Sequence, residues 1–261
     1  MPRSGLTLVF SLVGSLLVLF LLIPLFLFLI GVSLSDLMNY GLSEDAIDAL
    51  YVSLAASTIS TLILLALGIP ISYLFARREF RVKELLKSLI DLPLVIPHGV
   101  AGIALLVAFN SRAPLGSILA SAGITIEDSF WGIVAVMCFV AAPLAVDTLT
   151  DAFLSIDPNL EYVARSLGAS EWRAFASVTL PLAIRSVITA SIMAWARGMS
   201  EVGAILIVAY YPKSINVVIM DRFWTHGLNA ARATALPLLL ISVASFVLLK
   251  WIAGRKRIDR S

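Results

Sequence analysis

The chain has 261 residues, of which 60% are hydrophobic and 14% charged, with a formal net charge of +2. Soluble domains carry about 45–50% apolar and about 25% charged residues, so this balance excludes an ordinary soluble domain and indicates a membrane protein. One cysteine, Cys138, excludes a disulfide framework and any multi-cysteine metal site, and it sits in an apolar run as packing.

The first element is the apolar run from Leu6 to Val32. A secretory signal has a core of roughly 7–15 apolar residues followed by a small-residue cleavage site. This run is much longer and no A-x-A follows it, so it reads as a retained span that doubles as insertion signal. Asp36, Glu44, Asp45 and Asp48 then make an acidic outer loop, a solvated face available to an external partner. About 20 mostly apolar residues cross the hydrocarbon core as a helix. Five further segments qualify, near 50–76, 90–109, 130–150, 182–211 and 233–253, giving six spans.

Lys and Arg fix a direction. Arg3, the 77–87 loop (Arg77, Arg78, Arg81, Lys83, Lys87), the loop with Arg165, Arg173 and Arg185, and the tail from Lys250 to Arg260 fall on one side. Only Arg112, Lys213, Arg222 and Arg232 fall on the other. The positive-inside rule puts both termini and both basic loops in the cytoplasm. The positive charge is a topology signal with no basic domain behind it, so nucleic acid is excluded as a partner.

The third span contains Pro93 and Pro97, each lacking a backbone N–H and favouring a break. Freed carbonyls in a membrane are tolerated where they line a cavity or are covered by protein. His98, beside that break, is either an oxyanion ligand or a hydrogen-bonded structural side chain. Asp147, near the inner end of the fourth span, reads as a solvated or capped carboxylate.

Between the fourth and fifth spans lies "EYVARSLGASEWRAFASVTLPLA", residues 161–183. Asp157 and Pro158 mark a helix start. Leu160, Val163, Ala164 and Leu167 then draw one apolar stripe at helical spacing. Gly168 ends that helix, Ser170 caps a second one with Trp172, Phe175 and Ala176 on its apolar side, and Pro181 stops it before the fifth span. The mixed charges differ from the Lys/Arg-rich face of a helix lying on anionic lipid, and the bulky Trp172 suits a groove on another protein. In the fifth span, "AWARGMSEVGA" holds Arg197, Ser200 and Glu201. Arg197 and Glu201, four apart, form either an internal salt bridge or part of a water-filled path, and a bare charge there costs at least ~2.5–3.5 kcal/mol.

The cytoplasmic segment resembles the coupling loop of bacterial and archaeal ABC importer permeases, whose pattern is E-A-A-x3-G-x9-I-x-L-P. Its positions fall on Tyr162, Val163, Ala164, Gly168, Val178, Leu180 and Pro181. Ala164, Gly168, Leu180 and Pro181 match, Val178 is a close substitute, and the motif glutamate is replaced by Glu161 one place earlier. "DLPLVIPHGVAGIALL" (91–106) and "MAWARGMSEVGAILIVAYYP" (193–212) extend the likeness to permeases of molybdate/tungstate importers of the archaeal type, with sulfate and thiosulfate permeases as relatives.

The resemblance implies an all-α, six-helix type I importer permease fold. Residues 1–45 are then the first span and outer loop, 46–253 the permease core with its coupling loop at 157–181, and 254–261 a basic tail. It implies a homodimer, two ABC ATPase subunits that bind ATP and Mg, and an external oxyanion-binding protein. Glu161, Ala164, Gly168, Ala169, Glu171, Trp172, Leu180 and Pro181 would couple to the ATPase. The third and fifth spans would form the gate, with Pro97, His98, Arg197, Ser200 and Glu201 as path residues. The chain has no G-x-x-x-x-G-K-[ST] phosphate loop, so nucleotide work falls to another polypeptide. The absence of G-x-S-G and H-E-x-x-H argues against an intramembrane protease, and the lack of two related halves against a self-contained secondary transporter.

Overall fold

The computed structural model describes residues 5–255, so Arg3 and the tail beyond Arg255 lie outside the described residues. In chain order the helices are α1 (Gly5–Ile30), α2 (Leu34–Asp36), α3 (Glu44–Arg77), α4 (Lys83–Val95), α5 (His98–Phe109), α6 (Pro114–Ser121) and α7 (Phe130–Leu154). They continue as α8 (Asn159–Ser166), α9 (Glu171–Ala174), α10 (Leu180–Met199), α11 (Gly203–Val208), α12 (Ile215–His226) and α13 (Leu228–Arg255). Short π-helical turns occupy Leu37–Gly41 and Phe175–Thr179.

The core is built around α7. Ile133, Val136, Met137, Val140, Ala141, Ala145, Leu149 and Phe153 are all buried along it, and α3 and α10 pack against it. The helix α3 meets its neighbours with a row of small residues, Ala49, Ser53, Ala56, Ser57, Ser60 and Gly68 among them. Small residues let backbones approach closely where lipid gives helices no hydrophobic reason to associate. Their hydroxyls are not stranded: Ser72 donates to the Val146 carbonyl at 3.0 Å and Ser53 accepts from the Ile215 N–H at 2.8 Å. Cys138 is half-buried against Ser60, as its apolar setting implies.

Among the described residues five helices are long and apolar enough to cross a membrane: α1, α3, α7, the continuous run Glu171–Met199, and α13. The sixth expected span, over 90–109, is not straight. The helices α4 and α5 meet at 119°, a broken or re-entrant span. The break is at Pro97, the N-cap of α5, and Ile96 before it is extended at ψ 132°. A proline forces that conformation on its predecessor, which ends a helix. Pro93, by contrast, sits inside α4 without ending it.

The fifth span also departs from its expected extent. It starts at Glu171, ends at Met199 and resumes as α11 after a break at Ser200–Val202, rather than running through 182–211. Pro181 therefore does not stop a helix. The Leu180 N–H reaches back five residues to the Phe175 carbonyl in a π turn just before it. A proline ring collides with the carbonyl four residues earlier in a regular helix, and the wider turn provides the room.

The acidic outer loop is partly helix: α3 starts at Glu44, so Glu44, Asp45 and Asp48 lie in its first turns, where carboxylates suit the helix dipole. Asp45 is more than a solvated charge. Its two oxygens accept from the buried Arg222 at 2.7 and 2.8 Å. Asp147 is exposed on α7, as read from its position.

The helix α1 stands apart. None of its residues is buried, and Arg232 on α13 holds it by donating from Nε to the Phe28 carbonyl at 2.8 Å. A helix apolar on every side needs lipid or another protein on every side.

Candidate functional site

Two places gather the residues singled out by sequence. The first is the elbow formed by α8 and α9. Asp157 opens it by accepting the Asn159 N–H at 2.9 Å. The helix then closes in a Schellman motif: the Gly168 N–H bonds the Arg165 carbonyl at 3.0 Å, and the Ala169 N–H bonds that of Ala164 at 3.1 Å. Gly168 has φ +93°, a conformation that a Cβ penalises by about 1–2 kcal/mol. Ser170 caps the second helix by accepting the Arg173 N–H at 3.2 Å.

Glu161 does not face outward. It is buried, with Oε1 accepting from Arg77 Nε at 2.9 Å and from the Thr179 hydroxyl at 2.6 Å, and Oε2 from the Tyr73 hydroxyl at 2.7 Å. Arg77 also donates to the carbonyls of Phe153 and Ile156, at 2.8 and 3.1 Å. One carboxylate thus ties α8 to α3 and to the turn that leads into α10. Burial pushes its pKa up, but the hydrogen bonds from Thr179, Tyr73 and Arg77 and the Arg77 charge outweigh that, so it is held below its ordinary value. Within the coupling-type loop Glu161 is therefore an internal pin.

The apolar stripe of α8 has the opposite fate. Leu160 and Val163 are exposed, and Leu167 is 84% and Trp172 77% exposed. Phe175 alone of the aromatic pair turns inward, its ring 4.8 Å from that of Tyr73. Ala164 and Ala169 are half-buried, Ala176 is exposed, and Glu171 lies at the surface bridged to Arg78. Leu180 packs in the core beside Phe175, whereas Pro181 is exposed. The elbow thus offers an unpartnered apolar surface on a mount fixed to two long helices.

The second place is where the broken third and fifth spans meet. His98 begins α5, Arg197 lies in the last turn of α10, and Glu201 sits in the break before α11. His98 Nδ1 is 2.6 Å and Arg197 Nη1 3.1 Å from Glu201 Oε2, and Arg197 Nη2 is 3.3 Å from His98 Nε2. Guanidinium groups only donate. His98 Nε2 must then accept, and Nδ1 carries the proton given to Glu201. Glu201 Oε1 accepts the Ala204 N–H at 3.0 Å, so the fully buried carboxylate is satisfied on both oxygens. His98 and Arg197 keep partly open faces, their side chains 49% and 20% exposed.

Pro97 adjoins this cluster as the N-cap of α5. Ser200 does not join it: its hydroxyl donates to the Arg197 carbonyl, and its other face lines a cavity of about 580 Å³ beside Phe28 of α1 and Asn216 of α12. Arg197 and Glu201 form the internal salt bridge of one sequence reading, with Arg197 still 20% exposed. Among the described residues no His, Cys, Asp or Glu cluster is arranged to hold a metal.

Sequence reasoning passed over several anchors. Asn216 donates to the carbonyls of Met199 and Glu201 at 2.8 and 3.0 Å and fixes the break between α10 and α11. Arg77 and Thr179, which hold Glu161, had no local signal beyond a basic loop and a polar residue at a helix entry. Gly102 allows α5 to lie on α11, because a Cβ there would meet the Ala204 carbonyl oxygen at 3.0 Å.

Residues 68–258 match the family described as binding-protein-dependent transport system inner membrane component. The chain is 46% identical over 257 residues to the molybdate/tungstate transport system permease protein of Pyrococcus furiosus, covering 98% of each. It is 33% identical to the molybdenum transport system permease protein of Escherichia coli, over 84% of this chain and 99% of that one. Among solved structures, a bacterial ABC transporter that imports the acidic polysaccharide alginate superimposes with a TM-score of 0.72 over 95% of both chains at 16% identity. The MetNI methionine ABC transporter does so at 0.62, with 16% identity, over 82% of this chain and 97% of that one. At such identities the likeness is one of fold.

Proposed function

Because this chain belongs to the family of binding-protein-dependent transport system inner membrane components, we propose that the cargo it passes is molybdate or tungstate. It is a permease subunit of an ABC importer and a multi-pass protein of the cell membrane. The observation that carries the cargo assignment is the 46% identity, over 98% of both chains, to a permease named for those two oxyanions.

In this reading both termini and the elbow face the cytoplasm. Two ABC ATPase subunits, holding ATP and Mg, seat α8 and α9 in their clefts, and a binding protein delivers the oxyanion on the outer side. A second copy of the chain completes the pathway. Support for docking comes from the exposed Leu167 and Trp172 on a segment whose base is pinned by Glu161. A push on α8 is transmitted through Glu161 to Arg77 and Tyr73 of α3 and to Thr179 at the entry of α10. Support for setting the first span apart from the core comes from α1, none of whose residues is buried, whereas Gly41 and Asp45 already pack on the core through Ala233 and Arg222.

The test is reconstitution in vesicles with the ATPase and the binding protein. ATP-dependent uptake of molybdate and tungstate, with sulfate a poor competitor, is the expected result. Uptake by this chain alone, driven by an ion gradient, would overturn the reading, and preferential sulfate uptake would overturn the cargo assignment.

A further inference from the structure

We propose that His98, Arg197 and Glu201 form an exchangeable latch, in which an arriving tetrahedral oxyanion takes the donors of Arg197 and His98 away from Glu201 and so frees α5 from α11. The proposal rests on the oxyanion-import reading and adds to it the position at which cargo and gate compete.

Three observations lead to it. The cluster joins two helix breaks: residues 103 apart in sequence meet at 2.6 Å where α5 begins and α10 ends. In it one guanidinium faces one carboxylate, with Arg197 Nη2 3.3 Å from the imidazole Nε2. A carboxylate and an oxyanion present the same kind of acceptor to the same donors, so one can replace the other without leaving a donor unpaired.

Exposure is also unequal in the required direction. Glu201 is sealed, whereas His98 is half open, so an anion reaches the donors from their free side while Glu201 stays behind them. The exchange leaves Oε1 on the Ala204 N–H but takes both donors from Oε2, and repulsion between that bared carboxylate and the arriving anion drives the Glu201 segment away from α5. What the exchange releases is the His98–Glu201 contact, the polar link from α5 to the break before α11. Close packing also holds these helices, with Gly102 against Ala204 and Gly99 against Ile207.

The latch is tested with a thiol at Gly99, where a Cβ meets the Ile207 side chain at an ordinary 3.5 Å. Gly99→Cys is made with Cys138→Ala, and the permease is assembled with its ATPase and binding protein. Labelling by a water-soluble maleimide is followed with sodium molybdate or with sodium chloride of equal ionic strength. Molybdate should speed labelling at least about threefold and chloride should not, as expected if the ligand favours the open state.

Glu201→Gln should label rapidly without molybdate and respond no further, and Glu201→Asp should restore part of the response. A purely structural Glu201 would instead lower the yield of folded protein without creating an anion-sensitive thiol. Ile207→Cys reports from the facing helix should Gly99→Cys not fold. Labelling unchanged by molybdate in a preparation that imports it would overturn the latch and leave the import reading standing. A preparation unable to import molybdate would remove both.

Discussion

Glu161 is a carboxylate with three side-chain donors and little water, and such a group is strongly felt when changed. Glu161→Gln keeps the shape but leaves Arg77 without its counter-charge. Removing one member of a buried pair typically destabilises by about 3 kcal/mol, and the carbonyls of Phe153 and Ile156 still hold Arg77, so no larger loss is expected. Unfolding of the purified protein in micelles measures it. The pH dependence has a definite sign. The folded pKa lies below the ordinary 4.5, so the stabilisation is complete above that value and is lost as pH falls through the lower folded value. Acid should therefore loosen the elbow in the Glu161 protein and not in Glu161→Gln, read by the labelling rate of a thiol placed by Trp172→Cys in a Cys138→Ala background. At Gly168 a Cβ would meet nothing, so Gly168→Val strains the turn without creating a clash. The variant should assemble and hydrolyse ATP while its ratio of molybdate imported to ATP consumed falls. An unchanged ratio would dissociate the bend from coupling.

At the scale of elements, what matters is which face of α8 is turned where. An amphipathic helix usually turns its apolar stripe to the core, yet here Leu160, Val163 and Leu167 face out and Glu161 faces in. The stripe is legible from spacing alone, but its direction is not, because spacing does not say which face the rest of the chain covers. Trp172→Ala should accordingly leave the isolated chain about as stable as before. It should weaken ATPase docking by about 2 kcal/mol, roughly 30-fold, as loss of an aromatic anchor does, which titration of the ATPase onto reconstituted permease measures. The prolines teach a similar lesson. Pro97 ends a helix and Pro181 does not, although the sequence gives both the same missing N–H. A π turn precedes Pro181, but Pro93 lies inside α4 without one, so the missing N–H alone does not decide where a helix ends. Apolar runs, by contrast, mark α1, α3, α7 and α13 plainly, and Gly168 and Ser170 mark the elbow, because those signals are local. The meeting of His98 with Glu201 is a product of tertiary packing and has no local signal. Gly102→Leu, driven into Ala204, tests that packing: overfilling a close contact costs about 1–3 kcal/mol and should separate α5 from α11.

The whole molecule is a bundle around α7 with its two working regions on different elements, linked by α10. That helix runs from the elbow through the π turn to the Arg197–Glu201 break, so a displacement at α8 and α9 has a continuous path to the latch. The run Glu171–Met199 is continuous through its π turn, whereas α4 and α5 are bent at 119°. The apolar α1, with no residue buried, leaves every side to lipid or another protein. The central claim is that the elbow takes force from a separate ATPase. The most direct measurement is site-specific photo-crosslinking from Trp172 in native membranes, with and without ATP. The account predicts a crosslink to an ABC ATPase subunit whose yield changes with nucleotide. Crosslinks confined to lipid or to this chain itself, unaffected by nucleotide, would contradict it.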